Sequence, residues 1–255
     1  MEFTRRRVRL TVAYDGTAYH GWQIQDNANS IEAELTRAVK QVTGEEAEII
    51  GASRTDAGVH AYGNIAVFDT VSPIPPEKMC FALNKALPED IRILRSDQVP
   101  PEWHPRRQTC RKTYEYRIRL GSIPVPTERL YAHYVHHPVD PSRMREAATF
   151  LTGEHDFAAF CAAGSQASTT VRTVFSIEIC DAPGQVTIRV CGNGFLYNMV
   201  RILAGTLLDV GMGRKEPKDM TAILEGKDRR QAGPTLPAKG LFLMGYEYGE
   251  EAAAE

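Results

Sequence analysis

The sequence predicts an α+β fold in two halves with mixed or antiparallel sheets. Three observations carry this prediction: strand-like alternation recurs between helical periodicities, a proline-rich stretch from Val99 to Pro105 interrupts the pattern, and the alternation begins again beyond it. Val8 to Tyr14 alternates as a strand and ends in the turn dipeptide Asp15-Gly16, which gives Asp15 a structural turn role. Ile31, Leu35, Ala38, Val39 and Val42 hold helical spacing behind a cap at Asn29 or Ser30, and Gly44 stops that helix. Strands follow near Glu48 to Ala52 and Gly63 to Asp69, then a helix from Pro76 to Leu87 halted by Pro88, then a strand from Ile91 to Arg95. The second half opens near Arg106 with a strand over Thr113 to Leu120 and a helix capped by Asp140 with Pro141 in its first position. Strands at Val174 to Cys180 and Val186 to Cys191 precede a long helix over Phe195 to Val210, ended by Gly211. A short helix from Lys218 to Glu225 and a strand from Leu241 to Tyr248 close the order. The expected domains are 1–105 and 106–249, with a frayed acidic tail at 250–255.

Composition narrows the class. The 255 residues are 43% hydrophobic and 24% charged, which suits a globular chain with a sizeable core and excludes a disordered or collagen-like one. With 30 Lys and Arg against 32 Asp and Glu the net charge is −2, so any nucleic-acid contact has to be local. Five widely spaced cysteines form no C-x-x-C pair, as expected for reduced thiols in a cytoplasm. No apolar h-region follows the four arginines before residue 10, and no stretch approaches the ~18 apolar residues of a membrane span. A soluble, unexported protein with no membrane partner is expected.

Three stretches hold residues suited to chemistry. The run from Gly51 to His60 sets Arg54, Thr55 and Asp56 among small residues between two strands; it fits either a tight turn or a loop that a substrate approaches closely. On the long helix, Arg201 projects away from the apolar stripe of Leu196, Met199, Val200, Leu203, Leu207 and Val210, near Asn198 and one turn from Gly205. A guanidinium on so apolar a helix needs an acidic partner, either a structural one such as Asp209 or a catalytic carboxylate. Between positions 100 and 130, seven cations against three acids leave an excess of four, with Tyr114 and Tyr116 two apart on one strand. That window suits a phosphate backbone and a stacked base, and equally a solvated face of alternating charge. His133, His136 and His137 have no matching acid or cysteine set, so no metal is predicted. Neither a P-loop nor a G-x-G-x-x-G element is present, and Gly211-Met212-Gly213 follows a helix instead of opening one.

The loop from Gly51 to Ala61 resembles the G-x-G-R-T-D-A-G-V-H-A signature of the tRNA pseudouridine synthase A (TruA) family, with Ser53 where the family usually has Gly. Arg111-Lys112-Thr113-Tyr114-Glu115-Tyr116 is similar to the family's basic-x-Tyr-x-Tyr strand, and Gly153 to Phe157 to its G-x-H-D-F turn. Phe195 to Arg201 is similar to its F-L-x-x-M-V-R helix, and Pro237-Ala238-Lys239-Gly240-Leu241 to its closing P-A-x-G-L segment. The resemblance runs in order from about Arg7 to Tyr248. It implies the pseudouridine synthase fold, two related α+β halves around a central active-site cleft. It also implies conversion of uridine to pseudouridine at positions 38, 39 and 40 of the tRNA anticodon stem-loop, with Asp56 as the essential carboxylate. Arg201 would pair with Asp56 and keep it ionised, Tyr114 would stack on the uracil, and Arg54 would insert toward the vacated base or hold phosphate. No cofactor and no metal are implied, and a homodimer is. Two other classes stay open on the residues alone. An RNA-binding module without catalysis leaves Arg54, Asp56 and Arg201 unexplained, and a carboxylate glycoside hydrolase needs a second acid that does not stand out.

Overall fold

The computed structural model describes residues 4–249, so the acidic tail expected at 250–255 lies outside the described residues. The chain divides into two compact units, one running to Cys110 and regaining the chain from Leu243 onward, the other spanning Arg111–Phe242. The sequence-based boundary after residue 105 differs from this division at both ends. Residues 106–110 fall with the first unit, and so does most of the closing strand, because that strand lies beside the strand that follows the Asp56 loop.

In the first unit, β1 (Arg6–Tyr14) alternates as expected, with Val8, Leu10, Val12 and Tyr14 buried. α1 (Ile31–Thr43) is capped by Ser30, whose hydroxyl accepts from Ala33 N at 3.3 Å, and ends at Gly44. β2 (Ile50–Gly51) is shorter than predicted, and β3 (His60–Thr70) is longer and buried along most of its length. The predicted helix from Pro76 begins as a 3-10 turn and becomes α2 (Met79–Leu83). Asn84 ends it: its side-chain amide donates to Ile93 O and accepts from Ile93 N on β4 (Ile91–Val99), although helical-type bonds continue to Leu87. The strand order is β4-β1-β3 followed by the closing strand, with β2 on β3, and the pairings of β1 with β3 and β4 are antiparallel.

The second unit is built on β5 (Cys110–Leu120), with β6 (His133–Val135) parallel along its end. α3 (Pro141–Thr149) is capped by Asp140, whose carboxylate accepts from Ser142 N at 2.8 Å. Gly153 to Asp156, expected as a turn, is instead a strand, β7, paired antiparallel with β8 (Val171–Ala182). β9 (Gln185–Gly192) completes the antiparallel order β5-β9-β8-β7. The long helix starts later than predicted, as α4 (Met199–Gly211), because Asn198 adopts a left-handed conformation at φ 59° that a right-handed helix cannot continue through. Phe195 and Leu196 therefore precede the helix, and Leu196 matched its period because it is buried, not because it is helical. α5 (Asp219–Gly226) and β10 (Leu241–Tyr248) match the expected positions.

On β5, Glu115 is buried and accepts from Arg117 Nε at 2.8 Å and from Arg189 Nη2 at 2.9 Å, Arg189 being its cross-strand neighbour. Burial pushes its pKa up, but the two guanidiniums outweigh that and hold it below the ordinary value of 4.5. A lowered folded-state pKa is stability present above the unfolded value and lost as pH falls through the folded one. Glu115→Gln should therefore lower Tm at pH 7, and the gap from the unsubstituted protein should narrow as pH is taken below 4.5. A gap that stays constant down to pH 3 in thermal melts would show that packing, not charge, sets it.

Candidate functional site

The Arg54–Asp56 loop is irregular backbone, so its polar groups need partners from elsewhere. Asn64 supplies two of them: it accepts from Ser53 N at 3.3 Å and donates to Ser53 O at 3.1 Å. Its amide also donates to Tyr14 Oη at 3.3 Å, and the Tyr14 and Thr55 hydroxyls share a hydrogen bond of 2.7 Å. From the other side, Trp22 N donates to Thr55 O at 3.0 Å. Gly21 makes that approach possible: its φ is +91°, and a Cβ there would lie 2.6 Å from Thr55 O. Thr55 is therefore buried and fixed, while Arg54 before it is exposed and Asp56 after it is half-buried. The tight turn is real as well, since Val59 N donates to Asp56 O at 3.1 Å.

Ser53 avoids the left-handed region, as the replacement of a usual glycine requires. Its hydroxyl bonds Tyr246 of β10, and Tyr246 Oη also donates to Asn64 Oδ1 at 3.4 Å. Asp15 takes the structural role expected of it, accepting from Thr17 N at 3.0 Å. Tyr14, Asn64 and Tyr246 were missed as site residues. Asn64 carried a usable signal, a polar side chain directly before the apolar run Ile65 to Phe68, where burial obliges it to find partners.

The second unit holds Tyr114 and Arg201. Every residue of α4 except Arg201 is buried. Arg201 Nε donates to Leu236 O and its Nη1 to Asn198 Oδ1, both at 2.6 Å, so the left-handed cap also orients the guanidinium. One turn on, Gly205 lets the same segment lie against the helix, since a Cβ there would meet Pro234 O at 2.0 Å. Thr206 Oγ1 accepts from Gly233 N at 2.8 Å and completes the seat. The structural alternative for Arg201 places its partner at Asp209, but Asp209 is bonded by Arg214 Nη1 at 3.3 Å.

Tyr114 and Tyr116 share a face of β5 and differ in depth. Tyr116 is fully buried with its hydroxyl donating to Pro237 O at 2.7 Å, a core position whose burial drives the phenol pKa upward. Tyr114 keeps 9% of its surface and meets Phe195 edge to face, ring centroids 5.3 Å apart at 88°. Part of the basic window proves to be an alternating-charge face: Arg117 pairs with Glu115 and Arg119 with Glu128. Among the described residues no group of three or more His, Cys, Asp or Glu is placed to hold a metal ion, and no helix is long and apolar enough to cross a membrane.

Residues 10–106 and 147–249 match the family described as tRNA pseudouridine synthase. A Clostridium tetani protein named tRNA pseudouridine synthase A 2 is 49% identical over 240 residues, covering 93% of this chain and 97% of its own. Proteins named tRNA pseudouridine synthase A from a Thermoanaerobacter species and from Ruminiclostridium cellulolyticum are 45% and 44% identical, covering 94% and 95% of this chain and 98% and 100% of theirs. Likeness of this degree, continuous along nearly the whole chain and taking in the pinned Asp56 loop and the Arg201 helix alike, means that the chain belongs to the tRNA pseudouridine synthase A family.

Proposed function

We propose that this enzyme isomerises uridine to pseudouridine at positions 38, 39 and 40 of the tRNA anticodon stem-loop, with Asp56 as the essential carboxylate. The observation that carries this is the pinned Thr55: a backbone fixed from both sides presents the next residue, Asp56, in a loop that resembles the family's signature. The reaction breaks the glycosidic N1 to C1′ bond, turns the uracil, and joins C5 to C1′. The C5 hydrogen leaves as a proton and N1 gains one, so atoms balance with no outside energy source. A carboxylate acting as nucleophile or base is sufficient chemistry in a closed pocket.

In this scheme Arg201 gives Asp56 the opposite charge that keeps it ionised, and its bonds to Leu236 O and Asn198 hold the guanidinium in one orientation. Tyr114 holds the uracil by its ring face, with Phe195 fixing the ring. The exposed Arg54 inserts toward the vacated base or holds phosphate, offsetting the few kcal/mol that flipping a nucleotide costs. The family resemblance supports a homodimer that needs no cofactor, and five free cysteines suit action in the cytoplasm.

Asp56→Asn should abolish tritium release from C5-tritiated uridine in tRNA while leaving tRNA affinity within about tenfold, since phosphate contacts supply most of the binding. Release at the unsubstituted rate would end the assignment. Tyr114→Phe should keep substantial turnover and Tyr114→Ala lose most of it, because stacking on a base is worth ~1–3 kcal/mol and Phe retains the face. Thermal melts run beside the turnover assay separate this from a packing defect. Should Phe prove as inactive as Ala with both folded, the hydroxyl and not the face is what the reaction uses.

A further inference from the structure

Within the second unit the arginines of the sheet and helices mostly meet carboxylates: Arg117 and Arg189 on Glu115, Arg119 on Glu128, Arg143 on Glu216, Arg145 on Asp181. Arg172, on β8, does not. Among the described residues it has no carboxylate within ion-pair distance, and its hydrogen bonds run from one nitrogen, Nη1, to Thr169 O at 2.9 Å and Val171 O at 2.6 Å. Those two carbonyls pin the guanidinium and leave its Nε and Nη2 edge without a protein partner among the described residues. That edge is the two-donor fork that matches a phosphate. Arg172 is also partly covered, and this burial pulls its pKa below the ordinary arginine value. A half-buried cation without a counter-ion is a cost that the bound state has to offset.

Its location gives the cost a purpose. Arg172 Cδ and Nε lie 3.7 Å from where a side chain on Gly194 would begin. The neighbouring Thr173 is clamped to the same loop, donating to Asn193 Oδ1 at 3.1 Å and accepting from Asn193 N at 3.0 Å. That loop leads directly into Phe195, whose ring meets Tyr114. Arg172, the loop from Gly192 to Gly194, Phe195 and Tyr114 are thus one backbone-fixed group. We propose that Arg172 binds a backbone phosphate of the tRNA next to the nucleotide whose base rests on Tyr114. The assignment rests on the tRNA reading given above and adds a contact to it.

The test measures the affinity of the full-length protein for unmodified tRNA between about 50 and 200 mM salt, with R172Q and R172K beside the unsubstituted protein. Loss of one phosphate contact should weaken binding by R172Q about tenfold and make the slope of log affinity against log salt shallower by about 0.9. R172K should restore the slope, since it restores the charge, without restoring all the affinity. A slope in R172Q equal to that of the unsubstituted protein overturns the contact, and so does a loss of Tm shared by both variants with no change in slope, which would mark Arg172 as a clamp for residues 169–171 only. If the unsubstituted protein itself shows no salt-dependent affinity for tRNA, the tRNA reading falls and takes this contact with it, so the two failures are read on different proteins.

Discussion

The paired hydrogen bonds between the Asn64 side chain and the backbone of Ser53 are the constraint on which the candidate site depends. A loop between strands has polar backbone groups with no ladder to join, and each one buried without a partner costs about 1–3 kcal/mol. Asn64 mimics a strand neighbour, offering one acceptor and one donor where a flat strand would. From that anchor the bonding extends through Tyr14 to Thr55, and the Gly21-Trp22 backbone closes the other side. The result is a loop whose Thr55 is locked between an exposed Arg54 and a half-buried Asp56, an arrangement suited to holding a carboxylate in one geometry without help from a ligand.

The second unit solves a related problem with a helix. A charged side chain on an element buried on every other position would be expelled unless its donors were engaged, and Arg201 is engaged by a backbone carbonyl and by the residue that caps its own helix. Gly205 and Thr206 extend this into a seat for the segment from Gly233 to Leu236, so orienting the guanidinium and docking that segment are one packing event. The same economy appears on β5, where Glu115 faces two guanidiniums while its neighbours in sequence, Tyr114 and Tyr116, are both buried, the first keeping 9% of its surface and the second none.

Much of this was legible in the sequence, because the physics involved is local. The caps at Ser30 and Asp140, the stop at Gly44 and the alternation of β1 all depend on residues within a turn of one another. The site loop and the Arg201 helix were legible as motifs. What escaped depends on contacts distant in the chain. β7 formed where a turn was expected because β8 provides its partner, and the start of the long helix moved because Asn198 turned left-handed, a choice apolar periodicity does not register. The basic window on β5 had two equally good interpretations until Glu115 and Glu128 were seen to occupy Arg117 and Arg119. Tyr246, almost two hundred positions from Ser53, had no signal in its neighbourhood at all.

That last bond bears on how the protein is made. The first unit is discontinuous in the chain, taking its strand β10 only from residues that follow the second unit. On a ribosome the loop carrying Asp56 emerges early, but the tyrosine that bonds Ser53 and Asn64 is synthesised only after the whole of the second unit. The loop therefore lacks part of its support until β10 has been made and settles beside β3. A nascent chain that stalls before β10 holds the Asp56 loop on a backbone that lacks that brace, so ordering of the loop waits for a strand that follows the second unit.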